Sequence, residues 1–133
     1  MAIIALTPVG HMKPIIALLA IVLLVACSPR PGEFVSYSLS ESDIAAVQQT
    51  VRTSLKDPQS AHFGQIMATR SLSGEVKVCG LVNAKNRSGD YTGAQHFFGT
   101  LSQGSFALIK LDYPSFYGES AILRCKSAGM VMF

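Results

Sequence analysis

The sequence contains no apolar run long enough to cross a bilayer as a helix. The longest unbroken run covers residues 15–26 and has 12 residues, whereas a membrane-spanning helix needs about 20. The sequence also contains no block of basic residues, since its formal net charge of +3 comes from scattered Lys and Arg residues. A transmembrane anchor is therefore disfavoured, and nucleic-acid binding has no support.

Motifs of the common catalytic and metal sites are also missing. The chain has no Gly-x-Ser-x-Gly, Ser-x-x-Lys or His-Glu-x-x-His sequence, which are typical of hydrolases. It has no Cys-x-x-Cys or His-x₃-His spacing for zinc either. We predict no catalytic residue, no metal and no small-molecule cofactor. A carboxylate pair such as Glu75 and Asp90, able to cleave glycans, stays open as an alternative.

The apolar run has the features of a secretory signal. Such signals place a positive charge before about 7–15 apolar residues and end in small residues. Here Lys13 precedes the run, and Leu24-Val25-Ala26-Cys27 ends it. This ending resembles the lipobox of bacterial lipoproteins. The resemblance implies cleavage before Cys27 and lipid chains on Cys27, and Ser28 after it implies sorting to the outer membrane, facing the periplasm.

The domain organisation follows from this signal. Residues 2–6 form a second apolar patch that does not belong to a compact signal, so we predict that translation starts at Met12. The signal peptide then ends at residue 26. Residues 27–39, rich in Pro and Ser, are predicted to be a lipidated flexible tether. Residues 40–133 are predicted to be one small domain.

Cys79 and Cys125 are the two cysteines besides Cys27. In an oxidising periplasm, two cysteines in a small domain most simply form one disulfide. Metal binding together with His62 or His96, or two free thiols, are the alternatives.

Hydrophobic periodicity predicts an α+β fold. Ser40 and Asp43 resemble a capping box, and the apolar residues that follow recur at helical spacing, which predicts an amphipathic helix over residues 41–56. Shorter periods then predict strands at residues 63–70, 75–83, 95–101 and 105–112. We predict one N-terminal helix packed on an antiparallel sheet of about four strands, with one disulfide. Residues 119–126 fit a helix or a strand.

The second predicted strand, residues 75–83, has apolar residues on both of its faces. Val76, Val78 and Val82 share one face, and Cys79 lies on the other. A disulfide to Cys125 would require the C-terminal segment to cover this second face. We therefore expect this strand to lie in the middle of the sheet.

Two segments resemble a pattern shared by small secreted proteins and lipoproteins of proteobacteria. Residues 55–63 read Leu-Lys-Asp-Pro-x-Ser-Ala-x-Phe, and residues 79–93 read Cys-Gly-x-Val-Asn-x-Lys-Asn-x-x-Gly-x-Tyr-x-Gly. The family has no settled activity, so the resemblance implies a domain and supplies no mechanism.

The second of these segments contains the predicted binding loop. Asn83, Lys85, Asn86 and Tyr91 offer amide, ammonium and hydroxyl groups that could converge on a sugar, a peptide stem or an anionic polymer. The alternative is that both Asn side chains satisfy backbone groups inside the loop, that Gly80, Gly89 and Gly93 serve special backbone angles, and that Lys85 and Arg87 form a solvated edge.

These features predict a non-catalytic binding or structural module of the bacterial envelope. Its partners are the lipid bilayer, through Cys27, and an envelope protein or the cell wall. An inhibitor or exclusion factor that blocks an incoming protein, such as a lysozyme or a conjugation component, is one alternative. A cell-wall hydrolase is the other.

Overall fold

A computed structural model describes residues 33–112 and 120–132 of the chain. The predicted signal peptide, Cys27 and residues 28–32 of the predicted tether lie outside the described residues. Within these two ranges, the chain forms a single antiparallel sheet and two α-helices. Neither of these helices is long and apolar enough to cross a membrane.

The sheet has five strands, and each pairs with its neighbour in sequence in antiparallel orientation. The strands are β1 (Phe34–Ser36), β2 (His62–Ser71), β3 (Val76–Asn83), β4 (Gln95–Ser102) and β5 (Ser105–Leu111). The order β1-β2-β3-β4-β5 places β3 in the centre, which confirms the position inferred from Cys79. The four predicted strands are present, each within one residue of its predicted ends.

The predicted architecture, one helix on about four strands, is wrong. A fifth strand, β1, lies within the range predicted as tether, where Phe34 pairs with Ser71 and Ser36 with Thr69. A second helix, α2 (Ala121–Ser127), packs against β3 and β4. The fold is therefore mostly sheet with one short helix on each face. A strand of only three residues shows no readable alternation, which is why the sequence did not reveal it.

The first helix, α1, spans Glu41–Thr53. Its capping box is confirmed, because the Ser40 hydroxyl accepts from the Asp43 backbone N–H and the Asp43 carboxylate accepts from the Ser40 N–H, both at 3.1 Å. The helix ends three residues before the predicted end. Its last turn tightens because the Ser54 N–H donates to the carbonyl of Val51, which satisfies an otherwise orphaned group.

The two faces of the sheet carry separate apolar clusters. On the face covered by α1, which we call the α1 face, Val47 and Val51 of the helix pack with Val78, Val82 and Phe97 of the sheet. The opposite α2 face holds a smaller cluster. Its buried residues come from the sheet, from α2 and from the segment after α2: Cys79, Phe98, Ala121, Cys125, Ala128 and Met130.

Two strand glycines make room for aromatic rings in the core of the α1 face. A Cβ atom on Gly80 would collide with the ring of Phe97, and one on Gly99 would collide with the ring of Phe106 and a backbone carbonyl. Gly80 has no positive φ angle. Its role is thus to leave space, and the expectation that it serves a special backbone angle is wrong.

The disulfide between Cys79 and Cys125 is present, with a Cα–Cα distance of 5.9 Å. Both cysteines are buried. The bond joins the central strand to α2 and confirms both the predicted pairing and the predicted covering of the second face. With the two thiols joined, neither cysteine serves as a metal ligand.

Candidate binding site at the loop after strand β3

The segment between β3 and β4 folds back on itself as a narrow turn. Lys85 and Tyr91 pair as an isolated antiparallel bridge. Inside this bridge the Asn86 N–H donates to the Asp90 carbonyl at 2.8 Å, and the Gly89 N–H donates to the Asn86 carbonyl at 3.1 Å. Gly89 has a φ of +84°, which only glycine adopts readily. The turn is therefore closed by its own backbone.

Both predicted Asn side chains bond within this loop. The Asn86 Oδ1 atom accepts from the N–H groups of Ser88 at 2.9 Å and Asp90 at 3.0 Å. The Asn83 Oδ1 atom accepts from the Gly93 N–H at 3.2 Å. These amide oxygens satisfy backbone donors, as Asn side chains commonly do in turns. They stabilise the shape of the loop.

A second set of contacts holds the loop against the segment before β2. The Ser60 hydroxyl accepts from the Lys85 N–H at 2.8 Å. The Tyr91 hydroxyl donates to the Ser60 carbonyl at 3.2 Å and lies 3.0 Å from His62 Nε2. We call Ser60, His62, Lys85 and Tyr91 the clamp.

The clamp joins residues 55–63 to residues 79–93. Ser60 and His62 belong to the first segment, and Lys85 and Tyr91 belong to the second. Ser60 is positioned by a 3-10 turn over Pro58–Ser60, where the fixed φ of proline suits the first position. The ordered pair of motifs is thus one structural unit at one end of the sheet.

The two segments that the clamp joins carry three basic residues, Lys56, Lys85 and Arg87. The Lys85 ammonium lies 5.6 Å from the centroid of the Tyr91 ring, which is a cation–π distance. Lys56 and Arg87 form no ion pair with any residue in 33–112 or 120–132. Together with Asn86 and Ser88, they line a hollow of about 360 Å³, which we call the Lys56–Arg87 hollow.

A second hollow of about 400 Å³ lies near the β2–β3 and β4–β5 turns. Its lining includes Arg70, whose guanidinium carbon lies 4.3 Å from the centroid of the Tyr37 ring. Asp43 and Glu75 line it as well, so acidic groups outnumber the single cation. It contains none of the four residues predicted for the binding loop.

The acid pair considered for glycan cleavage is not brought together. Glu75 directly precedes β3, and Asp90 lies in the loop that follows β3. The eight residues of this strand separate its ends by roughly 25 Å, whereas paired glycosidase carboxylates lie about 5–9.5 Å apart. These two residues therefore do not form a glycosidase site.

The structure adds Lys56 and Ser88 to the residues that sequence analysis considered for this region. Lys56 lies in the first motif, 30 positions before Asn86, and only the folded chain shows that both line one hollow. Comparisons with protein-family models, with curated proteins and with solved structures find no match to this chain.

Proposed function

We propose that this chain is a lipid-anchored protein of the bacterial envelope, held in the outer membrane through Cys27 and facing the periplasm. Its folded domain acts by binding a partner and not by catalysis. The lipobox-like sequence at Leu24–Cys27 supports the anchor. The disulfide supports an oxidising compartment, because structural disulfides form and persist outside the cytosol.

The clamp is the observation that carries the proposal of a binding role. Its hydrogen bonds, 2.8–3.2 Å long, fix the loop against the 3-10 turn before any partner arrives. A recognition surface that is already ordered avoids much of the entropy loss that binding would otherwise impose.

The anchor is tested by the mass of the mature protein. The full chain is expressed in a bacterial host, beside a matched Cys27→Ser variant, and the membrane fraction is analysed by intact mass spectrometry. We expect the wild type to begin at Cys27 with the added mass of acyl chains, and the variant to lack that mass. A wild-type product without lipid would contradict the anchor.

The binding role is tested by crosslinking mass spectrometry in intact envelopes and by co-sedimentation with isolated cell wall. The clamp variant carries Ser60→Ala and Tyr91→Phe, which remove the three hydrogen bonds of the clamp and the bond from the Ser60 hydroxyl to the Asp57 carbonyl. Tyr37→Phe is the matched control, because the Tyr37 hydroxyl makes no hydrogen bond with the described residues.

We expect the clamp variant to lose one specific partner that the wild type and the control retain. A cell-wall component or a resident envelope protein as that partner supports the proposal. An incoming protein as that partner would favour the inhibitor instead. Identical partners in all three proteins, at equal abundance, would contradict a binding role for this loop.

A further inference from the structure

The Lys56–Arg87 hollow differs from the rest of the loop in what its polar groups do. The Asn83 and Asn86 oxygens and the Tyr91 hydroxyl are bonded inside the protein. In contrast, the Lys56 ammonium, the Arg87 guanidinium and the Ser88 hydroxyl make no hydrogen bond or ion pair with the described residues. The groups that shape the loop and the groups available to a ligand are therefore different residues.

The charge around the hollow favours an anion. The two motif segments contribute three cations, Lys56, Lys85 and Arg87, against two acids, Asp57 and Asp90. The only ion pair within 4.0 Å among the described residues is Lys77–Glu75, so neither acid neutralises these cations at contact distance. The hollow near Arg70 has the opposite balance, because Asp43 and Glu75 line it.

The side chains present match an oxyanion in chemistry. A guanidinium offers a planar fork of donors that fits phosphate or carboxylate in a bidentate manner, and an ammonium adds a point charge. The turn that carries Arg87 and Ser88 is held by the Asn86 Oδ1 atom. The two donors therefore start from a fixed backbone.

We propose that the Lys56–Arg87 hollow binds a sugar that carries an oxyanion, either a phosphate or a carboxylate. The hollow is open to solvent, and its volume of about 360 Å³ leaves room for a sugar ring beside the acidic group that the cations would hold. This inference deepens the proposed binding role by naming the ligand class. Phosphorylated sugars occur in membrane glycolipids and carboxylated sugars in cell-wall glycans, and the two sources share this chemistry.

The inference is tested by titration followed by NMR, with the protein as isolated from the host envelope in detergent micelles. The probes are glucose 6-phosphate, glucuronate and neutral glucose, which share one ring. We expect backbone signals of residues 56 and 86–88 to shift with either acidic sugar and not with glucose. A response to only one acidic sugar identifies the source of the ligand.

Substitutions then assign the binding to the hollow. Arg87→Gln and Lys56→Gln are each expected to raise the dissociation constant of the acidic sugar about tenfold. This is the usual effect of losing one charge-assisted hydrogen bond. Lys126→Gln, an exposed cation on α2, is the matched control and should leave binding unchanged. Higher salt should weaken the wild-type complex, because exposed charges are screened.

Three results would overturn the inference: no shift with either acidic sugar, equal shifts with glucose, or equal weakening by Lys126→Gln. None of these results depends on lipidation or on the crosslinked partner. A protein that is lipidated and retains its envelope partner, but ignores acidic sugars, would therefore refute the ligand class and leave the proposed function intact.

Discussion

The two faces of the sheet are covered by helices of different length and held by different forces. On the α1 face a helix of 13 residues inserts the fully buried Val47 and Val51 into an apolar core. On the α2 face a helix of seven residues contributes Ala121 and Cys125 as its buried positions. The larger helix is held by buried apolar area, and the smaller one combines a smaller apolar cluster with a covalent bond.

This difference shows how a short chain segment can cover a sheet. Isolated helices shorter than about 12–15 residues are marginal in water, so α2 depends on what it touches. The disulfide fixes it to the central strand. A buried polar contact adds to this, since the Thr69 hydroxyl donates to the Ala128 carbonyl at 2.9 Å. We therefore expect the two faces to respond differently to substitution.

The largest expected effect comes from removing the disulfide with Cys79→Ala and Cys125→Ala. Closing a loop of 46 residues stabilises a domain by about 4 kcal/mol on the chain-entropy model, so the free energy of unfolding should fall by that amount. Denaturant unfolding measures it. Hydrogen exchange should accelerate most at α2, while the amides of α1 keep more of their protection.

Equal acceleration of hydrogen exchange in α1 and α2 would contradict the proposed difference between the two faces. The disulfide would then support the domain as a whole, and α2 would not be the part that depends on it.

The α1 face is tested by filling the space above Gly80. In Gly80→Ala the new Cβ atom collides with the Phe97 ring, and overpacking of this kind lowers the free energy of unfolding by about 1–3 kcal/mol. Gly64→Ala is the control, because its Cβ would lie 3.2 Å from the Leu81 Cβ, a tight but far milder contact. Thermal and denaturant unfolding measure both variants.

A second substitution sharpens this test. Adding Phe97→Leu to Gly80→Ala shortens the side chain that is struck, so the two changes should be less harmful together than the sum of their separate effects. If the two changes in the free energy of unfolding were strictly additive, the collision at position 80 would be relieved by a movement that does not involve the Phe97 ring.

The smallest effect is expected for Thr69→Val on the α2 face. The substitution keeps the shape and removes the hydrogen bond to Ala128, which should lower the free energy of unfolding by about 1–2 kcal/mol. Thr100→Val is the matched control. Thr69 and Thr100 both pair with Lys77, from opposite sides, but the Thr100 hydroxyl makes no hydrogen bond with the described residues. Equal losses in both variants would contradict this role of Thr69.

Local patterns predicted the elements whose signals lie within a few residues of each other. The Ser40–Asp43 cap and the valine spacing after it located α1, and alternation located β2 to β5. The edge strand β1 has only three residues, and its identity rests on pairing with residues 69–71. Such pairing leaves no local trace. Residues 119–126 could not be assigned for another reason: α2 is helical over Ala121–Ser127 only, and seven residues are too few to show a clear helical period.

The sequence predicted where the candidate site lies, but it did not predict which of its residues shape the loop and which are available to a ligand. Sequence analysis named Asn83, Lys85, Asn86 and Tyr91 because they carry polar groups. Whether a polar group is bonded inside the protein depends on contacts between distant residues, such as Ser60 with Lys85 and Tyr91. The pattern could not show that Lys56, far earlier in the chain, lines the same hollow as Arg87.

Gly80 also restricts how this sequence can diverge. Its missing side chain and the ring of Phe97 occupy one shared volume, so a larger residue at position 80 is tolerated only beside a smaller one at position 97. In descendants of this chain the two positions should change as a pair or not at all. Gly64, which lacks a ring above it, should drift without such a partner. The packing of the Phe97 ring should thus appear as correlated substitutions at positions 80 and 97, which are 17 residues apart.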